Sequence, residues 1–242
     1  MKIPFTNLQA QYQDCKQDID AAIQRCLDID SFITGPDVTE FELKFAEYLG
    51  ADDVASCGSG TTGLYCAMRA LNIGPGDEVI TVSHTFVATP ESIVICGATP
   101  VFCDIDPDTW LVDLDQLETL INKNTRAVLF VDIYGQCPDI ERVRNICDHY
   151  NLAMVEDAAQ SVGNRWNGRP VGSLSDITCM SFNPVKNLGA VGDAGAVSGS
   201  KHYMNEVRKY RDHGRTGRYD IVEVGYNARI DNIQSNVVMA KL

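Results

Sequence analysis

The chain has 242 residues, 45% of them hydrophobic, and its 20 basic and 33 acidic side chains leave a net charge of −13. That length and apolar content allow a large buried core. The acidic balance excludes a surface built to grip a nucleic-acid backbone, which it would repel, and no run approaches the roughly 20 apolar residues of a membrane helix, so a cytoplasmic protein without nucleic-acid or membrane partners is expected.

Residues 1–30 read as an N-terminal helical segment, and residues 31–242 as one large domain. A helix is expected where Pro36 stands just inside a start and Gly50 just past an end, with Phe41, Phe45, Tyr48 and Leu49 at helical spacing. Short apolar runs then recur at 54–57, 78–82, 100–105, 127–133, 152–155, 177–182 and 195–198, separated by helical stretches. This alternation predicts an α/β fold, a mostly parallel sheet flanked by helices. Gly74-Pro75-Gly76-Asp77 is a turn, and Asp113 or Asp115 caps a helix through Leu117, Leu120 and Ile121. Residues 230–242 read as a helix with Ile233, Val237, Ala240 and Lys241 at helical spacing, and the sequence stops without a cap, which suggests that a following segment is missing. The nine cysteines are scattered, odd in number and without a CxxC pair, so reduced thiols and no metal site are expected.

Four stretches carry chemistry. Cys57-Gly58-Ser59-Gly60-Thr61-Thr62 follows a strand and opens a helix; its free N–H groups and hydroxyls suit a phosphate, although such turns also serve as plain connections. Ser83-His84-Thr85-Phe86 leaves a second strand, and Phe86 there is either core or a ring that stacks on a planar cofactor. The strand ending in Glu156-Asp157-Ala158-Ala159-Gln160 delivers two carboxylates, fit for a helix cap, a metal, or a cationic ring nitrogen. In Ser181-Phe182-Asn183-Pro184-Val185-Lys186-Asn187-Leu188-Gly189 a lysine follows a strand, where partial burial would favour the neutral, nucleophilic amine over the usual solvated charge. Phosphate cradle, aromatic face, carboxylate and lysine together are what pyridoxal 5'-phosphate requires.

The chain resembles the DegT/DnrJ/EryC1/StrS family of sugar aminotransferases, whose fold is that of type I pyridoxal phosphate enzymes. The colinear stretches include Gly35-Pro36-Asp37-Val38-Thr39-Glu40-Phe41-Glu42, Gly58-Ser59-Gly60-Thr61, Gly74-Pro75-Gly76-Asp77-Glu78, Tyr134-Gly135-Gln136, Glu156-Asp157-Ala158-Ala159-Gln160, Lys186-Asn187-Leu188-Gly189 and Gly225-Tyr226-Asn227-Ala228-Arg229. The resemblance implies that Lys186 carries the cofactor as a Schiff base and shuttles a proton. Asp157 would pair with the pyridine nitrogen, Gln160 would contact the ring's hydroxyl side, and Phe86 would stack on its face. Gly60, Thr61 and Ser181 would hold the phosphate, with Asn227 reaching it from the neighbouring subunit of a homodimer. Arg229 would meet an anionic group of donor or acceptor, or else pair with Asp231 or Asp220.

The implied activity is transamination from an amino acid, glutamate, to a nucleotide-linked keto sugar, in amino-sugar or cell-surface polysaccharide biosynthesis. The stretch Ile3-Pro4-Phe5-Thr6-Asn7-Leu8, with Tyr134-Gly135-Gln136-Cys137, looks more like members acting on 3-keto than on 4-keto sugars. Asn183, Val185 and Ala194 depart from the residues frequent at those positions, which bears on substrate preference, and family members continue beyond the position of Leu242 into a small C-terminal domain. A sugar dehydratase of the same family is the alternative, although those members carry histidine where Lys186 stands. A catalytically silent fragment that binds a partner is another. A nucleotide-dependent dehydrogenase is disfavoured because Gly58-Ser59-Gly60-Thr61 lacks GxGxxG spacing.

Overall fold

In the computed structural model, which describes residues 3–242, strand and helix alternate as the apolar runs predict up to the strand ending at Asp157, whereas the strands from there to Gly199 follow one another without an intervening helix. The first two residues of the expected N-terminal segment lie outside the described residues. That segment forms α1 (Leu8–Asp14), whose Ala10 N–H is capped by the Asn7 side chain, and α2 (Lys16–Asp28). α3 (Pro36–Leu49) has Pro36 at its first position and ends at Gly50 in the left-handed region, φ 65°. Phe41, Phe45 and Leu49 repeat every four residues and so share one fully buried stripe, while Tyr48 stands partly exposed beside it.

Seven strands form one sheet: β1 (Asp53–Cys57), β2 (Glu78–Val82), β3 (Thr99–Cys103), β4 (Thr125–Val131), β5 (Ala153–Asp157), β8 (Ile177–Ser181) and β9 (Gly195–Gly199), in the order β1-β9-β8-β5-β4-β2-β3. The five strands from β8 to β3 run parallel, and only β9 runs against its neighbours on both sides. Because β9 is reversed between β8 and β1, those two strands point the same way, so the carboxyl ends of β1, β8, β5, β4, β2 and β3 share one edge. A separate hairpin, β6 (Arg165–Trp166) and β7 (Arg169–Pro170), turns on Asn167 and Gly168, both at positive φ. No apolar run announces strands this short; the Asn-Gly pair is the signal that marks them.

Both faces of the sheet are covered, which is why its strands are apolar without alternation. In β4, Ala127 and Leu129 face the core beneath α4 (Gly60–Ala70), α5 (Ala88–Ile95) and α8 (Lys201–Tyr210). Val128 and Phe130 face the opposite core under α6 (Leu114–Thr119) and α7 (Ile140–Tyr150). Asp113, not Asp115, caps α6, accepting from the N–H groups of Asp115 and Gln116; the helix stops at Thr119, so Leu120 and Ile121 pack from the following turn. α9 (Asn232–Lys241) packs on α2 and α3. Between these helices Asp37 is buried: Arg25 holds one of its carboxylate oxygens, at 2.6 Å, and the amides of Asn232 and Asn236 the other. That pairing holds the Asp37 carboxyl down to about 2.

Candidate active site

The carboxyl edge gathers the residues singled out above. Cys57, ending β1, pairs with Gly195 of β9, which pairs across with Ser181 ending β8; Asp157 ends β5, and Val131 ends β4 beside it. Beyond these ends lies a cavity of about 410 Å³ whose lining includes Gly60, Thr61, Phe86, Asp157, Gln160, Ser181 and Lys186.

One end of the cavity is the start of α4. Ser59 caps the helix by accepting from the Thr62 N–H (3.1 Å) while the Thr62 hydroxyl answers the Ser59 N–H (3.0 Å). This reciprocal box leaves the N–H groups of Gly60 and Thr61 without an intramolecular acceptor among the described residues. Two unsatisfied donors on a positive helix end, with the Ser181 hydroxyl beside them, make a seat for a dianion. Gly60 is required by proximity: a Cβ there would stand 2.8 Å from the Ser181 Cβ.

Asp157 forms the floor. Its carboxylate accepts from the Thr89 hydroxyl (2.7 Å) and the Ala159 N–H (3.2 Å). The Thr89 proton is committed to Asp157, so the Thr85 hydroxyl, 2.7 Å away, donates to Thr89 and completes a short relay. Burial raises the Asp157 carboxyl above its usual range, partly offset by Thr89 and by the charge of Lys186. A cationic ring nitrogen bound there would supply the missing counter-charge. Thr89 was not singled out from the sequence, because nothing local shows that α5 brings it to a carboxylate 68 positions away.

Lys186 projects from a tightly folded loop. Its N–H bonds to Asn183 O (2.8 Å), and Ala190 N–H returns to Phe182 O (2.7 Å). Gly189 lies where a Cβ would come within 2.5 Å of Pro184 O. α9 clamps the loop from outside, through Gln234 to Val191 N (3.0 Å) and Lys241 to the Gly189 carbonyl. Gln160 is fixed by the Tyr134 N–H at 2.8 Å. A second, larger cavity of about 750 Å³ shares Gln160, Val185 and Lys186 with the first.

Two positions lie apart. Asn227 and Arg229 do not line the cavity, though their loop abuts it, Ala228 O accepting from Gly58 N–H at 2.7 Å. Arg229 pairs with Asp212 at 3.0 Å, in place of the expected Asp231 or Asp220, and donates to the Asn227 side chain at 3.1 Å. Asp231 instead begins α9, and the Asp220 carbonyl accepts from Thr216 N–H.

A mostly parallel sheet of this order, with an anion seat, a buried carboxyl and a lysine along its carboxyl edge, has the architecture of fold type I pyridoxal phosphate aminotransferases. Its neighbours among solved structures are of that class. S. venezuelae DesV, in complex with a ketimine intermediate, has a TM-score of 0.96 and 39% identity over 98% of this chain and 64% of that one. NtdA of Bacillus subtilis, with bound cofactor PMP, has a TM-score of 0.92 and 31% identity over 99% of this chain and 55% of that one. The chain belongs to the DegT/DnrJ/EryC1/StrS aminotransferase family, whose model matches residues 13–242. Among curated relatives, the UDP-2-acetamido-2-deoxy-3-oxo-D-glucuronate aminotransferase of Pseudomonas aeruginosa is 41% identical over 241 residues, 99% of this chain and 67% of that protein. The chain thus spans about two thirds of the length of the curated relatives it matches. Among the described residues no helix is long and apolar enough to cross a membrane.

Proposed function

We propose that the protein is a pyridoxal 5'-phosphate-dependent aminotransferase that takes an amino group from glutamate and gives it to a nucleotide-linked keto sugar, with the ketone at C3 favoured over C4. One observation carries this reading: Lys186, Asp157, Ser181 and the free N–H groups of Gly60 and Thr61 open into one cavity. The 3-oxo sugar by which the P. aeruginosa relative is named supports the C3 preference.

When bound, the cofactor supplies an aldehyde carbon that accepts nitrogen and a ring that draws electrons away from it. The protein's groups do the rest. Gly60, Thr61 and Ser181 would hold its phosphate, and the Asp157 carboxylate would favour a protonated ring nitrogen, as a neighbouring anion favours a cation. Gln160, steadied by Tyr134 N–H, would face the ring's hydroxyl side, and Phe86 would cover one ring face. Lys186 would supply the amine that attaches the cofactor and would serve as the base and acid that moves the proton during transfer. Asn227, exposed and outside the cavity, is the group lent to a second copy in a homodimer. Arg229 beside it is the candidate for an anionic substrate group.

The test is spectroscopic. Purified protein mixed with pyridoxal phosphate should develop the long-wavelength absorbance of the covalently held cofactor, and Lys186→Ala should abolish it. Glutamate should then bleach that band and yield the aminated cofactor. Absence of the band in the unaltered protein, or its indifference to glutamate, refutes the reading.

A further inference from the structure

Along the same carboxyl edge, outboard of the cavity, three aromatic rings meet. His84 follows β2, Trp110 lies in the turn after β3, and Tyr134 follows β4. The imidazole of His84 stands between the other two, with ring centroids 5.3 Å from Trp110 and 5.7 Å from Tyr134, both packed edge to face. The two outer rings are 52% and 66% exposed, whereas the Nε2 atom of His84 is buried and has no hydrogen-bond partner.

Two features argue against an accidental cluster. Trp110 and Tyr134 both sit in the left-handed backbone region, at φ 65° and 56°, which a bulky side chain adopts at a cost of about 1–3 kcal/mol. The surrounding structure holds them there: Trp110 N–H bonds to Asp106 O (2.8 Å), and Tyr134 N–H to the Gln160 side chain (2.8 Å). The second bond ties the cluster to the cavity wall itself. The cluster therefore lies past the ends of β4, β2 and β3, at the flank of a cavity that runs from β8 across β5 to the ends of β4 and β2. By strand spacing, β3 is about 14 Å from β5, a reach suited to a hexose and its diphosphate.

We propose that Trp110 and Tyr134, braced on His84, are the stacking platform for the heteroaromatic base of the nucleotide-linked sugar. This rests on the aminotransferase reading for the sugar and deepens it by locating the base. A base offers the two exposed rings a flat π-face to stack on, while His84 braces them from beneath. A phosphate is unsuited to the same spot, because Asp104, Asp106 and Asp108 lie in the same short segment as Trp110. The diphosphate is left between platform and cavity, where Arg229 of a second copy is the candidate cation.

The chain's two tryptophans, Trp110 and Trp166, make the test direct. In a Trp166→Phe protein, Trp110 is the sole indole reporter, and UDP should quench its fluorescence saturably while inorganic pyrophosphate should not. Trp110→Leu should weaken UDP binding, followed by calorimetry, about tenfold, with the cofactor band and its response to glutamate unchanged. Absence of quenching, or quenching by pyrophosphate as well, overturns the proposal, as does UDP affinity unaltered in Trp110→Leu. If Trp110→Leu instead breaks a dimer seen by sedimentation without altering UDP affinity, the rings are an interface and the proposal falls. Quenching in a protein whose cofactor never responds to glutamate would leave the platform standing and sink the aminotransferase reading.

Discussion

At Gly195 a methyl group would lie 2.5 Å from the carbonyl carbon of Ser59 and 2.7 Å from the nitrogen of Gly60. The first residue of β9 is thus what allows the turn that opens α4 to rest against the sheet. We expect Gly195→Ala to force the start of α4 outward, costing about 1–3 kcal/mol as overpacking does and lowering cofactor affinity at least tenfold. Equilibrium dialysis with pyridoxal phosphate and a urea midpoint check both, and an unchanged affinity would show that the turn tolerates displacement. The turn itself was legible, because Gly58-Ser59-Gly60-Thr61 follows an apolar run and opens a helix. Gly195 was not, since its role depends on β9 inserting beside β1, more than 130 positions earlier in the chain. The same reason hid Thr89.

Between neighbouring strands the least expected pair is Asp132, just past the end of β4, and Glu156, within β5. Both are fully buried. One oxygen of Asp132 accepts from Ser161 (2.8 Å) and one of Glu156 from Thr178 (2.7 Å), which leaves Asp132 Oδ1 and Glu156 Oε1 without any other donor. These carboxyls and the Cys137 thiol offer atoms within 4.8 Å of one another. Two buried carboxylates this close cannot both remain charged, so they share a proton. Burial raises both above the usual carboxylate range, and the charge of Glu156 adds to the rise at Asp132. The folded state therefore holds more protons here than the unfolded chain does. The pair's contribution to stability is fully present below the unfolded values near 4 and is lost as pH climbs through the raised ones. Urea midpoints measured upward from about pH 4 should fall more steeply in the unaltered protein than in Asp132→Asn, and parallel slopes would rule out the shared proton. The strands themselves were readable as apolar runs, within a residue or two at their ends. A carboxyl at the edge of such a run gives no sign of the partner it will meet across the sheet.

The net charge of −13 sets the long-range field of the whole molecule. A nucleotide-linked sugar is itself an anion, so its approach is opposed until it reaches the local donors of the site. Screening shortens that opposition from about 30 Å at 0.01 M salt to about 10 Å at 0.1 M. The apparent KM for the sugar should accordingly fall between those ionic strengths, opposite to the behaviour of a site reached through a basic funnel. Initial rates with KCl as the only variable decide it, and a KM that rises with salt would mean that local cations dominate. Composition foretold this field, and strand–helix alternation in the first half of the sheet foretold the mostly parallel arrangement. The reversal of β9 was beyond local reading, because an apolar run carries no direction.

Lys186 forms part of the wall between two cavities, one of about 410 Å³ that holds the reacting groups and one of about 750 Å³ on its other side. If Lys186 carries the proton as proposed, an amine so placed would not keep the hydrogen it picks up. Between one half of the reaction and the next its protons can trade with water through the larger space, so the atom it sets on the new carbon–hydrogen bond comes from the solvent pool rather than from the donor amino acid. The enzyme would then treat hydrogen as exchangeable and nitrogen as conserved, and an isotopic label on the donor's α-carbon would vanish into water while a label on its amino group travelled on.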